Sequence, residues 1–203
     1  MSFSPFTVVS GPAIPLLRAN VDIDIIIRVD RMLAIPKEQL GPYAMEALRE
    51  DPASVLNQPA FHGAPTLLAG ENFGSGSSRE PAVWALVAMG LRCVIAPSFG
   101  DIFYSNCFQN GLLPIRLPMA QINALAALCA HGEALTVDLR DNTLHAPDGS
   151  TLGFKVDPLR REGLLHGLDD IGLTLKEDTL VREWQQRDRA ARPWAWPRAM
   201  AAA

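Results

Sequence analysis

Apolar residues in this chain come in short runs punctuated by glycine and proline, and the spacing of those runs predicts its elements. Residues 6–10 and 13–17 read as short strands on either side of a Gly11-Pro12 break. Residues 20–24 lead into the apolar run Ile25-Ile26-Ile27, and 36–51 carry a helical pattern weakened early by Gly41-Pro42. Residues 52–65 are irregular, with Pro59, Gly63 and Pro65 as breakers. From residue 66 the pattern becomes regular. A strand at 66–69, a glycine-rich turn and a helix at 82–89 stopped by Gly90 come first. They are followed by a strand at 93–96, a helix at 102–110 with Asp101 as its cap, a strand at 112–117 and a helix at 119–131. Such alternation predicts an α/β fold with a mixed, partly parallel sheet and helices packed on it. Right-handed crossovers gather the loops that follow the strands at one sheet edge. Residues 134–139, 143–146 and 151–156 then alternate like strands, and 157–168 and 177–190 read as helices.

The densest chemistry lies at the centre of this alternation, in Leu67–Glu80, LLAGENFGSGSSRE. Gly70, Gly74 and Gly76 permit a tight reversal and a close approach to a ligand. Ser77-Ser78-Arg79-Glu80 has the form of a capping box, and Pro81 suits a first helical turn. A helix N-terminus offers free N–H groups and partial positive charge. Arg79 adds a cation where the helix dipole disfavours one. The hydroxyls, the N–H groups and the guanidinium together fit a carboxylate or phosphate pocket. A flexible strand-helix connection with a solvated arginine fits the same residues. Upstream, Asp22 and Asp24 flank Ile23 and would project to one side of an extended segment, with Arg28, Asp30 and Arg31 as counter-charges. A solvated turn with surface ion pairs is the alternative there.

Composition narrows the class. The chain has 203 residues, 48% hydrophobic and 20% charged, which suits one sizeable core, or one domain with a trailing extension. Its net charge of -4 argues against non-specific nucleic-acid binding. No apolar run approaches the roughly 20 residues that span a bilayer, and the start lacks a secretory pattern, so no membrane association and a cytoplasmic location are expected. Cys93, Cys107 and Cys129 are odd in number and widely spaced, so buried free thiols and no metal of the chain's own are expected. The tail from Arg192 to Pro197 is aromatic but too proline-rich to be a helix; packing on its own domain and anchoring a partner both fit it.

Three segments together resemble the small subunit of isopropylmalate isomerase (3-isopropylmalate dehydratase), in the aconitase superfamily. Residues 20–27 are similar to the family's N-V-D-T-D-x-I-I, and residues 70–80 to its E-N-F-G-C-G-S-S-R-E. Residues 95–103 and 106–115 resemble I-A-P-S-F-A-D-I-F…N-C-x-x-N-G-L-L-P-I. The resemblance implies the swivelling β/β/α domain of aconitase-like proteins, here a single domain over 1–203 with a helical extension from about 157. It also implies that the 4Fe-4S cluster and most acid-base groups belong to a separate large subunit, with no cofactor held by this chain. The family's reaction removes water from a 2-hydroxy di-acid and returns it with the hydroxyl on the neighbouring carbon, the cluster's open iron holding the departing hydroxyl.

Carried over by position, Ser77 matches the serine that takes the carbon-bound proton, and Arg79 the arginine that grips a substrate carboxylate. Ser78 matches a second site serine and Asp24 a site aspartate that orients an arginine or the serine region, with Asp22 the weaker candidate. The loop written Arg28-Val29-Asp30-Arg31-Met32 corresponds to one that helps choose the substrate in relatives, which makes Arg28 and Arg31 substrate-binding candidates. Proline is common in the family where Arg28 stands, threonine where Ile23 stands, cysteine where Ser75 stands and histidine where Pro81 stands. These departures keep open a paralogous hydro-lyase of the methylmalate or homoaconitate type, and a carboxylate- or phosphate-binding module without catalysis.

Overall fold

The apolar runs assemble into one mixed seven-stranded sheet in the computed structural model, which describes residues 3–76 and 80–197. The strands are β1 (Val8–Leu16), β2 (Thr66–Ala69), β3 (Cys93–Ala96), β4 (Leu113–Arg116), β5 (Ala134–Asp138), β6 (Thr143–His145) and β7 (Thr151–Gly153), in the order β4-β3-β2-β1-β5-β6-β7. β1 to β4 are parallel, and β5 to β7 continue the sheet antiparallel from the other side of β1. The expected break at Gly11-Pro12 does not end a strand. β1 runs through it, and the dipeptide marks a change of neighbour: Val8 to Pro12 pair with β5, and Ala13 to Leu16 with β2.

β2, β3 and most of β4 are buried on both faces, which is why they read as unbroken apolar runs. Alternate residues feed two cores. Ile14, Leu67 and Val94 join one cluster, and Ala13, Leu68 and Ile95 the other. The crossover helices are α4 (Pro81–Ala88), α5 (Asp101–Gln109) and α6 (Met119–Leu128), with Ala82, Val83, Ala85 and Leu86 of α4 in the first cluster and Ile122 and Leu125 of α6 in the second. Gly100, not Asp101, occupies the cap position of α5, and Asp101 supplies the acidic first-turn charge. After β7 come α7 (Pro158–His166), capped by the Asp157 carboxylate on the N–H groups of Leu159 and Arg160, then α8 (Asp170–Leu175) and α9 (Asp178–Ala191).

The region before β2 departs most from expectation. Residues 22–34 form α1 (Ile23–Ile26) and α2 (Val29–Ala34), where an extended segment and a loop were predicted. The helix expected over 36–51 is two 3-10 turns (Lys37–Gln39 and Gly41–Tyr43) followed by α3 (Glu46–Arg49). Gly41 explains part of this. A Cβ there would lie 2.3 Å from the Ala88 carbonyl oxygen, so the turn is pressed against the end of α4.

Candidate active site

The C-terminal ends of the parallel strands are held together by a lacing of three loops. Gly74 N–H donates to the Val21 carbonyl at 2.7 Å, and Ile23 N–H to that of Ser75 at 3.0 Å. Asn20 N–H donates to Glu71 O at 2.8 Å. On the other side Phe73 N–H donates to Ser98 O at 3.1 Å, and Gly100 N–H returns to Phe73 O at 3.0 Å. The segments after β1, β2 and β3 thus form two short parallel bridges, Asp22 with Ser75 and Phe73 with Phe99. Side chains reinforce them: Asn72 Nδ2 donates to Asn20 Oδ1, and Ser98 Oγ accepts from Asn72 N–H, each at 2.8 Å. Asn20 and Asn72 both have φ near +55°, which asparagine tolerates better than most residues. The lacing role of Asn20, Asn72 and Ser98 was not foreseen; asparagines beside glycine-rich turns were its only signal.

Two glycines serve different ends in this platform. Gly74 has φ +70°, and a Cβ on it would enter the Phe103 ring at 2.2 Å. Phe103 lies at 5.6 Å from Phe73 and 6.3 Å from Phe99 between ring centroids, so the turn rests on an aromatic base. Gly70 is needed for closeness and not for its dihedral angle, because a Cβ there would meet the Arg18 carbonyl group at 2.5 Å. Gly70→Ala is expected to cost about 1–3 kcal/mol through this backbone collision. Thermal unfolding of the free chain checks it, and an unchanged midpoint would contradict the tight approach.

Of the predicted site residues, Ser77, Ser78 and Arg79 lie outside the described residues. The chain joins them to Gly76 on one side and Glu80 on the other. Asp22 and Asp24 do not share one side of an extended segment. Asp22 is the cap of α1, accepting from Ile25 N–H at 2.8 Å, and Asp24 is an exposed residue of its first turn. The bridge between Asp22 and Ser75 sets α1 against the glycine turn. Arg28 Nε lies 3.2 Å from Asp30 Oδ1 and 3.4 Å from Glu46 Oε1. Arg31 Nε donates to both Glu46 oxygens at 3.3 Å, and its guanidinium sits 4.6 Å from the centre of the Tyr43 ring. Hydrogen bonding to Glu46 strengthens the hold of Arg31 on its proton. The two arginines therefore form one cationic corner on Glu46, adjoining α1.

The other end of the predicted capping box has an unexpected partner. Glu80 Oε1 accepts from Asn110 Nδ2 at 2.9 Å, while Asn110 Oδ1 accepts from Trp84 Nε1 at 2.9 Å. Asn110 Nδ2 also donates to the Asn106 carbonyl at 2.9 Å, so one amide ties the start of α4 to the end of α5. Asn110→Ala leaves the indole N–H and the Glu80 carboxylate without these partners. A loss of about 1–3 kcal/mol is expected in denaturant unfolding, with Glu80→Gln much milder because Gln still offers an acceptor. Equal effects for the two variants would show that the network is not a unit.

The cysteines do not fit a cluster. Cys93, Cys107 and Cys129 are free and buried on β3, on α5 and after α6, and no group of three or more His, Cys, Asp or Glu able to hold a metal occurs among the described residues. Burial pushes the Cys129 thiol up to about 11 and raises those of Cys93 and Cys107 as well, away from the thiolate form that binds iron.

A mixed sheet whose three post-strand loops converge on a glycine turn ending in S-S-R-E defines the aconitase-type class of α/β domain, and residues 5–120 match the aconitase C-terminal domain family. The fold is the swivelling β/β/α domain of that class. The chain is 48% identical to the 3-isopropylmalate dehydratase small subunit of Rhodospirillum centenum, over 94% of this chain and 98% of that one. It is 45% identical to the protein of the same description from Dinoroseobacter shibae, over 93% and 98%. A crystal structure of 3-isopropylmalate dehydratase from Methanocaldococcus jannaschii superposes with a TM-score of 0.67 at 28% identity, covering 88% of this chain and 99% of that one. The chain belongs to the family of 3-isopropylmalate dehydratase small subunits.

Proposed function

We propose that this chain works with an iron–sulfur large subunit to isomerise 2-isopropylmalate to 3-isopropylmalate, a cytoplasmic step of leucine biosynthesis. The observation that carries the reading is the laced turn: the strand ends deliver Gly76 and Glu80 on either side of Ser77-Ser78-Arg79, with α1 and its Asp24 pinned alongside.

In this reading the Ser77 oxygen, held as an oxyanion by N–H groups at the start of α4, takes the proton from the carbon beside a substrate carboxylate. The C–H electron pair becomes the new double bond as the hydroxyl leaves from the neighbouring carbon. Water then adds in the opposite sense, and Ser77 returns its proton to the other carbon. Arg79 grips a carboxylate through its two-pronged guanidinium, Ser78 donates a hydrogen bond to the substrate, and Asp24 orients the arginine. In this reading the large subunit supplies the cluster and the departure of the hydroxyl.

Turnover of 2-isopropylmalate by the chain with and without its co-expressed large subunit tests the reading. Activity only with both supports it. A complex that forms but leaves isopropylmalate untouched would replace it with a paralogous hydro-lyase, which Arg28 favours as an added cation. Arg28→Pro is the probe for that alternative. The backbone accepts proline, with φ -69° and ψ 146° at Arg28 and extended angles at Ile27. The variant is expected to stay folded and to shift preference among di- and tri-carboxylic acids. An identical acid profile would remove Arg28 from substrate choice.

A further inference from the structure

We propose that α8, α9 and the tryptophan tail form the arm on which the large subunit docks, continuing an interface that begins at the Ser77–Arg79 turn. The inference rests on the two-subunit reading above and adds the surface to it.

The arm is built as though something covers it. α9 is a 14-residue helix with no buried residue, close to the ~12–15 residues below which an isolated helix is marginal in water. Two ion pairs lie within the arm, Arg182 with Asp178 and Arg192 with Asp188, and Arg189 sits over the Trp196 ring. The main neighbour of α9 is the 3-10 turn Pro193–Ala195 that follows it. Leu180 and Trp184, one turn apart, are 59% and 51% exposed, and on α8 Ile171 and Leu175, also one turn apart, are 66% and 63% exposed. The tail covers this strip only in part: the Trp196 ring lies 6.4 Å from that of Trp184 between centroids, and Trp184 stays half exposed. Trp196 folds back, donating from Nε1 to Asp188 Oδ2 at 2.9 Å, while Trp194 remains 79% exposed. Apolar side chains repeated at helical spacing on two successive helices are the pattern of a face that seats a partner.

Position decides which partner. Ile171 does not stand alone on the surface: it forms one wall of a cleft of about 640 Å³ whose other walls include Glu80, Trp84 and Asn110. α8 is fixed there, since Gln109 Oε1, on the residue next to Asn110, accepts from Asp170 N–H at 3.3 Å. The apolar strip therefore starts in a cleft bounded by Glu80, the residue that follows Arg79. A protein that shares the substrate with Ser77 and Arg79 has to cover that turn, and the cleft leads it onto Ile171 of α8, from which the chain runs on into α9. A second copy of this chain has no comparable reason to end at Glu80. The alignment over 94% of the chain leaves about a dozen residues unmatched, fewer than the stretch from Asp170 to the last residue, so α8 and most of α9 lie within the matched length of the relatives.

The test is the affinity of purified small subunit for the cluster-bearing large subunit, measured by titration, for the natural chain and for Leu180→Glu, Trp184→Glu and Ile171→Glu. Gln186→Glu, on the opposite side of α9, is the control. All four positions are exposed, so the free chains should keep their melting temperature and helical circular dichroism. Each of the first three is expected to weaken the complex at least about 10-fold, with Gln186→Glu within about twofold of the natural chain. Affinities unchanged in Trp184→Glu and Ile171→Glu would overturn the docking arm while leaving the two-subunit function intact. So would self-association of the free chain that Trp184→Glu abolishes without altering large-subunit affinity, which would give the strip to a second copy. Failure of the natural chain to bind the large subunit at all would overturn the proposed function and the arm with it.

Discussion

Replacing Ser77 with alanine is expected to lower kcat by about 100- to 10,000-fold, the usual contribution of a positioned proton-transfer group. The Michaelis constant and the affinity for the large subunit should change little, because the hydroxyl acts on a proton that is bound equally well in the ground state without it. The pairing of these readouts makes the result specific. A residue that only shaped the turn would raise the Michaelis constant or reduce stability along with kcat. The turn is already held by backbone bonds from Val21 and Ser98 and by the Phe103 ring, none of which involves the Ser77 hydroxyl. Unchanged turnover in the purified complex would remove Ser77 from the base role.

Arg79→Lys should separate charge from geometry. Lysine keeps the cation but loses the planar fork that meets both oxygens of a carboxylate, so the Michaelis constant is expected to rise about 10- to 100-fold. That corresponds to the ~1.5–3 kcal/mol of a charge-assisted hydrogen bond. A general positive field at the start of α4 would be served equally by lysine, and an unchanged Michaelis constant would establish that weaker role. Arg28 and Arg31, on the neighbouring loop, are themselves engaged by Glu46.

β1 runs on through the Gly11-Pro12 that reads as a break, whereas β2, β3 and β4 were legible in the chain because each is short, apolar and followed closely by glycine or proline, and each helix that follows has its own stop signal. The glycine turn was legible for the same reason. The segment before β2 was not. Ile25-Ile26-Ile27 favours an extended reading by β-branching, yet the Asp22 carboxylate caps Ile25 N–H and the backbone of Ile23 hangs on Ser75, more than fifty residues on. Residues 36–51 have helical composition, but Gly41 must lie against the carbonyl of Ala88, a constraint set by an element absent from the local sequence. Glu80 shows the same limit at the site itself. Its spacing from Ser77 suggests a local cap, whereas its carboxylate is held by Asn110 on the next helix. Local patterns revealed most of the elements, and long-range hydrogen bonds decided their settings.

β1 has one more consequence, which concerns synthesis. It is the shared strand of the sheet, bonded to β2 on one side and to β5 on the other, with Val8 opposite Asp138. A growing chain can lay β2 to β4 beside it early, but the flank that β5 covers stays open until residue 138 has left the ribosome. Until then the free edge of β1 and the apolar faces of Ala13 and Leu68 await partners that have not yet been made. The chain thus completes the sheet only after its parallel half has been translated, and the antiparallel strands act as a late clasp on laced loops made long before.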